Sequence, residues 1–230
     1  MLFGIQWDTS SELSFAVSIL PILLRGLWVT VQATALGFVI AIVLGLVLAL
    51  LRMVPLKIVS WPVGFFLEFV RNTPLLVQLY FLYFVLPDFG IVLPAFVAGA
   101  TALGLQYCGY TAEVYRAGIE AVPRGQWEAA RALNMPALRT MRDIIVPQAI
   151  PRIVPALGNY LVSMLKDTAI LSAVTVMEML NVATIIGDRT FRYFVPLTMV
   201  GGLYLVVTLL SSSLIRFLEQ RLPKAGLRLR

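Results

Sequence analysis

Four charged side chains stand where a charge is costly. Glu68 and Arg71 fall within the apolar segment 58–86, and Lys166 and Asp167 lie near the middle of the apolar segment 155–180. A charge deep in an apolar span costs several kcal/mol unless it is paired or faces water, so each of the four is a candidate functional group. They sum to zero. Such a set suits reversible recognition of a zwitterion; it suits equally a salt-bridge network that locks helices together. Lys166 and Asp167 are sequence neighbours, about 100° apart around a helix, so each needs a partner elsewhere. Glu68 and Arg71, three residues apart, can instead form an internal pair close to a cytoplasmic gate. Thr73, Pro74, Gln78 and Thr168 complete the candidate path. Pro74 frees the carbonyl of Val70, four residues back, and so offers backbone polar groups to a passage. Gln78 reads first as glue between helices.

Bond-breaking chemistry has little to work with. The chain has no histidine and one cysteine, which removes histidine metal sites, a Ser-His-Asp triad and Cys-His catalysis. No Gly-x-x-x-x-Gly-Lys-Ser/Thr phosphate loop is present, and no Ser-Lys or paired-Asp site stands out. Neither a catalytic residue nor a cofactor or metal site is expected, and Cys108, in an apolar run, reads as a small packing residue.

The elements that must position these groups are membrane spans. Sixty per cent of the 230 residues are hydrophobic and 13% are charged, against about 25% charged in a soluble domain. Gly26–Leu51 is an uncharged stretch of 26 residues, and about 20 apolar residues cross a bilayer. Hydropathy predicts one all-α transmembrane domain over residues 1–230, with five spans: 26–51, 58–86, 94–117, 155–180 and 193–218. A short amphipathic lead-in, Ser14–Leu24, is expected along the interface. Gly201-Gly202 and Ser211–Ser213 read as close-packing small residues of the fifth span. The first 15 residues have no positive n-region and hold Asp8 and Glu12, so no cleavable signal peptide is expected.

Most of the 18 basic residues fall on one side. Arg52 and Lys57 follow the first span; Arg116, Arg124, Arg131, Arg139, Arg142 and Arg152 lie between the third and fourth; Arg216, Arg221, Lys224, Arg228 and Arg230 follow the fifth. The other side has Arg25, Arg189 and Arg192 beside Asp8, Glu12, Asp88 and Asp188. By the positive-inside rule the N-terminus is outside and the C-terminus cytoplasmic. The net charge of +6 then reports topology rather than nucleic-acid binding.

The cytoplasmic connector 124–152 has the most specific residue order. Glu128–Leu133 are good helix formers, Asn134 fits a left-handed cap, and Pro136 suits a new helix start. Two short helices joined by a sharp turn, parallel to the membrane, are expected. The segment resembles the EAA loop of permease subunits of ATP-binding-cassette importers, which reads Glu-Ala-Ala, three residues, Gly, nine residues, Ile, one residue, Leu-Pro. Glu128-Ala129-Ala130, Ile144 and Pro147 match with the spacing intact; Asn134 replaces the glycine and Val146 the leucine. Asparagine tolerates the left-handed turn and valine keeps an apolar contact.

The resemblance implies that Gly125, Glu128, Ala129, Ala130, Asn134, Ile144 and Pro147 form a docking loop for a separate cytoplasmic ATPase, Ala129 and Ala130 allowing close approach to its surface. It also implies a periplasmic solute-binding protein, a second permease subunit (identical or homologous), and a multi-pass place in a bacterial inner membrane. Glu68–Gln78, Leu165–Thr168, Gly26 and Thr30 are similar to the polar amino-acid uptake family, relatives of histidine, glutamine and arginine permeases. Within it, Tyr110–Glu120 running into Pro123–Gln126 looks most like the ectoine/hydroxyectoine branch. An ion-gradient-driven transporter or channel subunit is the alternative. It gives no account of the Glu-Ala-Ala loop.

Overall fold

The computed structural model describes Trp7 and residues 10–221; Asp8, Lys224, Arg228 and Arg230, used above to assign sides, lie outside the described residues. Among those, every regular element is helical: α1 (Glu12–Met53), α2 (Lys57–Asn72), α3 (Leu75–Tyr80), α4 (Ala95–Glu120), α5 (Arg124–Ala132), α6 (Ala137–Thr140), α7 (Val146–Asp167), α8 (Met179–Thr190) and α9 (Phe194–Arg221). The all-α expectation holds. α1 and α9 are each long and apolar enough to cross a membrane alone. Two further pairs meet that test only as bent units: α2 with the segment from α3 to Phe89, and the segment Ala137–Val174 with α8.

The expected interfacial lead-in is instead the first part of α1, which runs unbroken for 42 residues through Pro21. Ser11 starts it as a reciprocal cap: its hydroxyl accepts from the Ser14 N–H at 3.1 Å, and its own N–H donates to the Ser14 hydroxyl at 3.0 Å. Phe15, Ile19, Ile22 and Leu23 are fully buried against Met179, Val182 and Ile186 of α8 and Val195 and Val200 of α9. Tertiary burial, not a lipid interface, covers this apolar face.

Further along α1, Ala33, Gly37, Ala41, Gly45 and Ala49 recur every four residues and are buried, a small-residue seam that lets α4 approach closely. A Cβ added at Gly45 would lie 2.0 Å from the Thr111 hydroxyl oxygen and 3.0 Å from the Cys108 carbonyl. The Thr111 hydroxyl donates across the seam to the Ala41 carbonyl at 2.7 Å. Cys108 is fully buried in the same seam. Gly201 and Gly202 pack against nothing in this chain: no atom lies within 4 Å of a Cβ built at either.

The expected second span is bent by 105° between α2 and α3. Pro74 lacks an N–H, and Thr73 before it takes extended backbone (φ −97°, ψ 133°), as a residue ahead of proline prefers. The expected fourth span begins earlier and ends differently. Helix runs from Ala137 through a π turn (Met141–Ile145) into α7, then a 3₁₀ stretch (Thr168–Val174), and breaks at left-handed Thr175 (φ 62°) before α8. Pro147, Pro151 and Pro155 fall inside this continuous helix; the π turn gives room where Pro147 would otherwise crowd Asp143. Only α5 is therefore a separate short helix of the connector; its expected twin, α6, runs on through the π turn into α7. Lys166 and Asp167 sit at the end of α7 rather than in mid-helix.

Candidate functional site

At the α2/α3 break, the carbonyl freed by Pro74 has found a side-chain donor. Gln78 Nε2 donates to the Val70 carbonyl at 2.8 Å and to the Thr73 carbonyl at 3.2 Å. It also lies 2.7 Å from Gln106 Oε1 of α4, and Gln106 reaches the Tyr110 hydroxyl at 3.2 Å. With the Gln106 amide turned over, its nitrogen reaches Val70 at 3.0 Å, so an amide serves this carbonyl either way. The Thr73 hydroxyl donates to the Phe69 carbonyl at 2.7 Å and closes the end of α2. Two of the predicted path residues thus satisfy a helix break.

Asp167 has a different setting. Half-buried, it accepts a 2.7 Å hydrogen bond from the buried Tyr107 hydroxyl of α4. Tyr107 meets Tyr110 and Tyr160 edge-on, at 5.8 and 6.0 Å between centroids, and those two stack at 5.4 Å. Lys166 is exposed, whereas Thr168 is buried and donates to the Leu165 carbonyl at 2.6 Å.

Glu68 and Arg71 pair with each other on α2 and border a pocket of about 480 Å³ with Arg52 of α1 and Glu113, Arg116 and Glu120 of α4. Arg116 pairs with both α4 glutamates, and Arg52 donates to the Ser60 carbonyl at 2.8 Å. The expected four-charge set is therefore divided: Glu68 and Arg71 belong to this six-charge pocket, and neither Lys166 nor Asp167 lines it. A lock joining Arg71 to Asp167 does not exist in this structure. Arg71→Ala and Asp167→Ala should accordingly act additively on membrane abundance, within about 0.5 kcal/mol; quantitative immunoblots of single and double mutants check this. Rescue of one by the other is the contrary result.

The connector forms a compact element. α5 ends in a turn in which the Asn134 N–H donates to the Arg131 carbonyl (2.9 Å) and the Met135 N–H to the Ala130 carbonyl (3.0 Å), with Asn134 left-handed at φ 50°. This is the paired-bond helix stop that glycine usually provides. Glu128, Ala129 and Gly125 are exposed, but Ala130 is fully buried. The small side chain at 130 therefore serves closure of the loop on its own chain, not approach to a partner as expected. Trp127 and Ile144 pack on a core of Ile119, Val122, Ile145, Ala149 and Ile153. Gln148 donates to Gln126 Oε1 at 3.2 Å, and Arg152 to the Ala121 carbonyl. Pro147 is exposed beside this core. A groove of about 640 Å³ opens alongside Glu128, between Arg124, Arg131 and Ala137.

Glu178 was not singled out from sequence, although the cost of a buried charge applies to it equally within segment 155–180. It is fully buried at the break before α8, accepts from the Leu180 and Asn181 N–H groups at 2.8 and 2.5 Å, and meets the Tyr204 hydroxyl at 3.3 Å. Thr30 on α1 accepts the Met179 N–H at 3.3 Å. Gln106, Tyr107 and Tyr110, polar residues within a run of small ones, were the legible sign of the α4 polar face. Among the described residues no group of three or more carboxylate or thiol side chains is arranged to hold a metal ion.

Residues 41–224 match the family of binding-protein-dependent transport system inner membrane components. The chain is 57% identical, over the whole of both chains, to a probable amino-acid ABC transporter permease protein of Sinorhizobium fredii. It is 36% identical to a putative glutamine transport system permease protein of Rickettsia bellii, over 87% of this chain and 92% of that one. The crystal structure of an amino acid ABC transporter with histidines superposes with a TM-score of 0.87 at 42% identity, over 94% of this chain and all of that one. The methionine ABC transporter MetNI, at 20% identity and a TM-score of 0.75, covers 90% of this chain and shares the fold. With a family match across most of its length and relatives aligned end to end, this chain belongs to the binding-protein-dependent inner-membrane permeases of ABC transporters, transport components rather than enzymes.

Proposed function

We propose that this chain is the transmembrane subunit of an importer for polar amino acids or related zwitterions, driven by a separate cytoplasmic ATPase that docks on α5. The observation that carries the reading is the folded connector: the Glu-Ala-Ala spacing forms a helix with Glu128 exposed, stopped at Asn134 and pinned by Trp127 and Gln148 to α4 and α7. Such a rigid element can transmit force. The solute arrives from a periplasmic binding protein, and a second permease subunit, identical or homologous, completes the path. Gly125, Glu128, Ala129, Asn134, Ile144 and Pro147 shape the ATPase contact. The polar residues of the two broken spans, Glu68–Gln78 and Lys166–Thr168, border the solute's route. Within the substrate class, the run Tyr110–Gln126 supports the ectoine/hydroxyectoine branch, whereas the names of the relatives support an α-amino acid.

Proteoliposomes holding the permease, its ATPase and the binding protein should accumulate labelled L-glutamine or ectoine only with ATP. Competition between the two ranks them. Accumulation driven by an ion gradient without ATP would identify a secondary transporter instead. The proposed bacterial inner-membrane topology places the N-terminus outside and α5 in the cytoplasm. In a Cys108→Ala background, cysteine at 137 should react with an impermeant maleimide only in inside-out vesicles, and cysteine at 88 only in intact spheroplasts. The reverse pattern would invert the assignment.

A further inference from the structure

We infer that the charged pocket between α1, α2 and α4 seats the headgroup of a zwitterionic phospholipid, with Arg52 taking its phosphate. The charges that line this pocket are unevenly matched. Glu68 is held by Arg71, and Glu113 and Glu120 share Arg116, so two guanidinium groups engage all three carboxylates. Among the described residues no carboxylate pairs with Arg52. Its Nη1 donates to the Ser60 carbonyl at 2.8 Å, whereas a guanidinium has five N–H donors. That planar fork matches two oxygens of a phosphate. Glu120 binds Arg116 through Oε2, which leaves its Oε1 to accept from an ammonium group. Three arginines and three glutamates sum to zero, and a ligand with one charge of each sign keeps that balance.

Glycines on the facing helices make room for these side chains. A Cβ built at Gly64 of α2 would coincide with the Arg52 guanidinium, and one at Gly109 of α4 would lie 2.6 Å from Arg71 Cγ. Both arginines can therefore lie across a neighbouring helix and reach a cavity of about 480 Å³. Position points to a lipid as the source of the phosphate. Arg52 and Glu120 stand in the last turns of α1 and α4, at the level where headgroups lie. Next to the pocket, α2 exposes Ile58, Trp61 and Phe65 within two turns, and α1 exposes Leu50 and Met53. These apolar side chains offer a flank for acyl chains, with the indole at interfacial depth. Assignment to the cytoplasmic leaflet rests on the topology proposed above, which labelling at positions 88 and 137 tests by itself. The chemistry of the pocket depends neither on that orientation nor on the transported solute.

The permease complex, purified in detergent through a tag on this chain, is titrated with dioleoyl-phosphatidylethanolamine and read by native mass spectrometry. Parallel titrations use dioleoylglycerol, which lacks the phosphate, glycerophosphoethanolamine, which lacks the chains, and free L-glutamine. The first phospholipid adduct should saturate, at a midpoint about tenfold below that of each of the other three. Arg52→Gln should raise this midpoint about tenfold. Gly64→Ala keeps the charge but displaces the guanidinium, and should raise it by a similar factor. Lys57→Gln removes a cation of α2 outside the pocket and should leave the midpoint unchanged. Four results would each overturn the site: no saturable adduct on the wild-type complex, as when a second subunit covers the pocket; a midpoint for dioleoylglycerol as low as for the phospholipid; one as low for either soluble zwitterion; or an unchanged midpoint in Arg52→Gln. Should that variant fail to assemble, an unchanged midpoint in Gly64→Ala does the same, and equal loss in Lys57→Gln reduces the effect to general surface charge and overturns it too.

Discussion

Cells expressing Gly45→Leu should hold at least tenfold less permease in their membranes than wild type. The leucine Cβ alone would fall 2.0 Å from the Thr111 hydroxyl oxygen and within 3.1 Å of backbone atoms of Cys108 and Ala112. A hydroxyl can rotate away; the α4 backbone cannot without parting the seam. Overpacking costs about 1–3 kcal/mol, and losing the Thr111–Ala41 hydrogen bond adds about 1 kcal/mol. Thr111→Val isolates the second contribution and should lower abundance only a few-fold. Gly201→Leu is the matched control on α9: its Cβ meets nothing in this chain, and abundance should stay at the wild-type level. Fluorescence-detected size exclusion of tagged variants provides the measurement, and equal loss in both glycine mutants would remove the seam's special standing.

Glu128→Arg and Ala130→Trp should both abolish uptake, by different routes. Glu128 is exposed, and no hydrogen bond or ion pair engages it among the described residues, so reversing its charge leaves the loop folded and the chain inserted. ATPase co-purification should fall more than tenfold, because a charge-reversed anchor leaves both partners' groups unpaired. Ala130 has no exposed surface, and an indole there must force the turn at Asn134 apart. Its signature is a new protease cut near Arg131 or Arg139, absent in Glu128→Arg. Wild-type transport and co-purification in both variants would remove the docking role of α5.

What could be read from sequence followed the range of the forces involved. Asn134 and Pro74 act on their own turns, and both behave as their chemistry dictates. The 105° angle at Pro74 depends on Gln78 and on Gln106, 28 residues further on, which rescue the freed carbonyls; no local rule supplies that. Asp167 finds Tyr107 sixty residues away, so its separation from Arg71 was equally hidden. The start of α1 was misplaced because Ser14, Ser18 and Arg25 make the segment look interfacial, while its burial comes from α8 and α9. The start of α7 was misplaced because Pro147, Pro151 and Pro155 argue against helix one by one, and the bundle outweighs them. Small residues say less by themselves: Gly201 and Gly202 meet no neighbour in this chain.

Those three prolines make α7 mechanically anisotropic. Spaced by four, they advance only about 40° per step around the axis and form a stripe along one flank, where each ring removes the N–H that would bond the carbonyl four residues back. The opposite flank has no proline. Such a rod bends readily in the plane of the stripe, where few bonds resist being drawn open, and is stiff in the perpendicular plane. One end of this 22-residue helix carries the Ile144 side of the loop, and the other carries Asp167. In the importer proposed above, a push at the loop end would swing the Asp167 end along one arc, as a leaf spring converts load into travel in one direction.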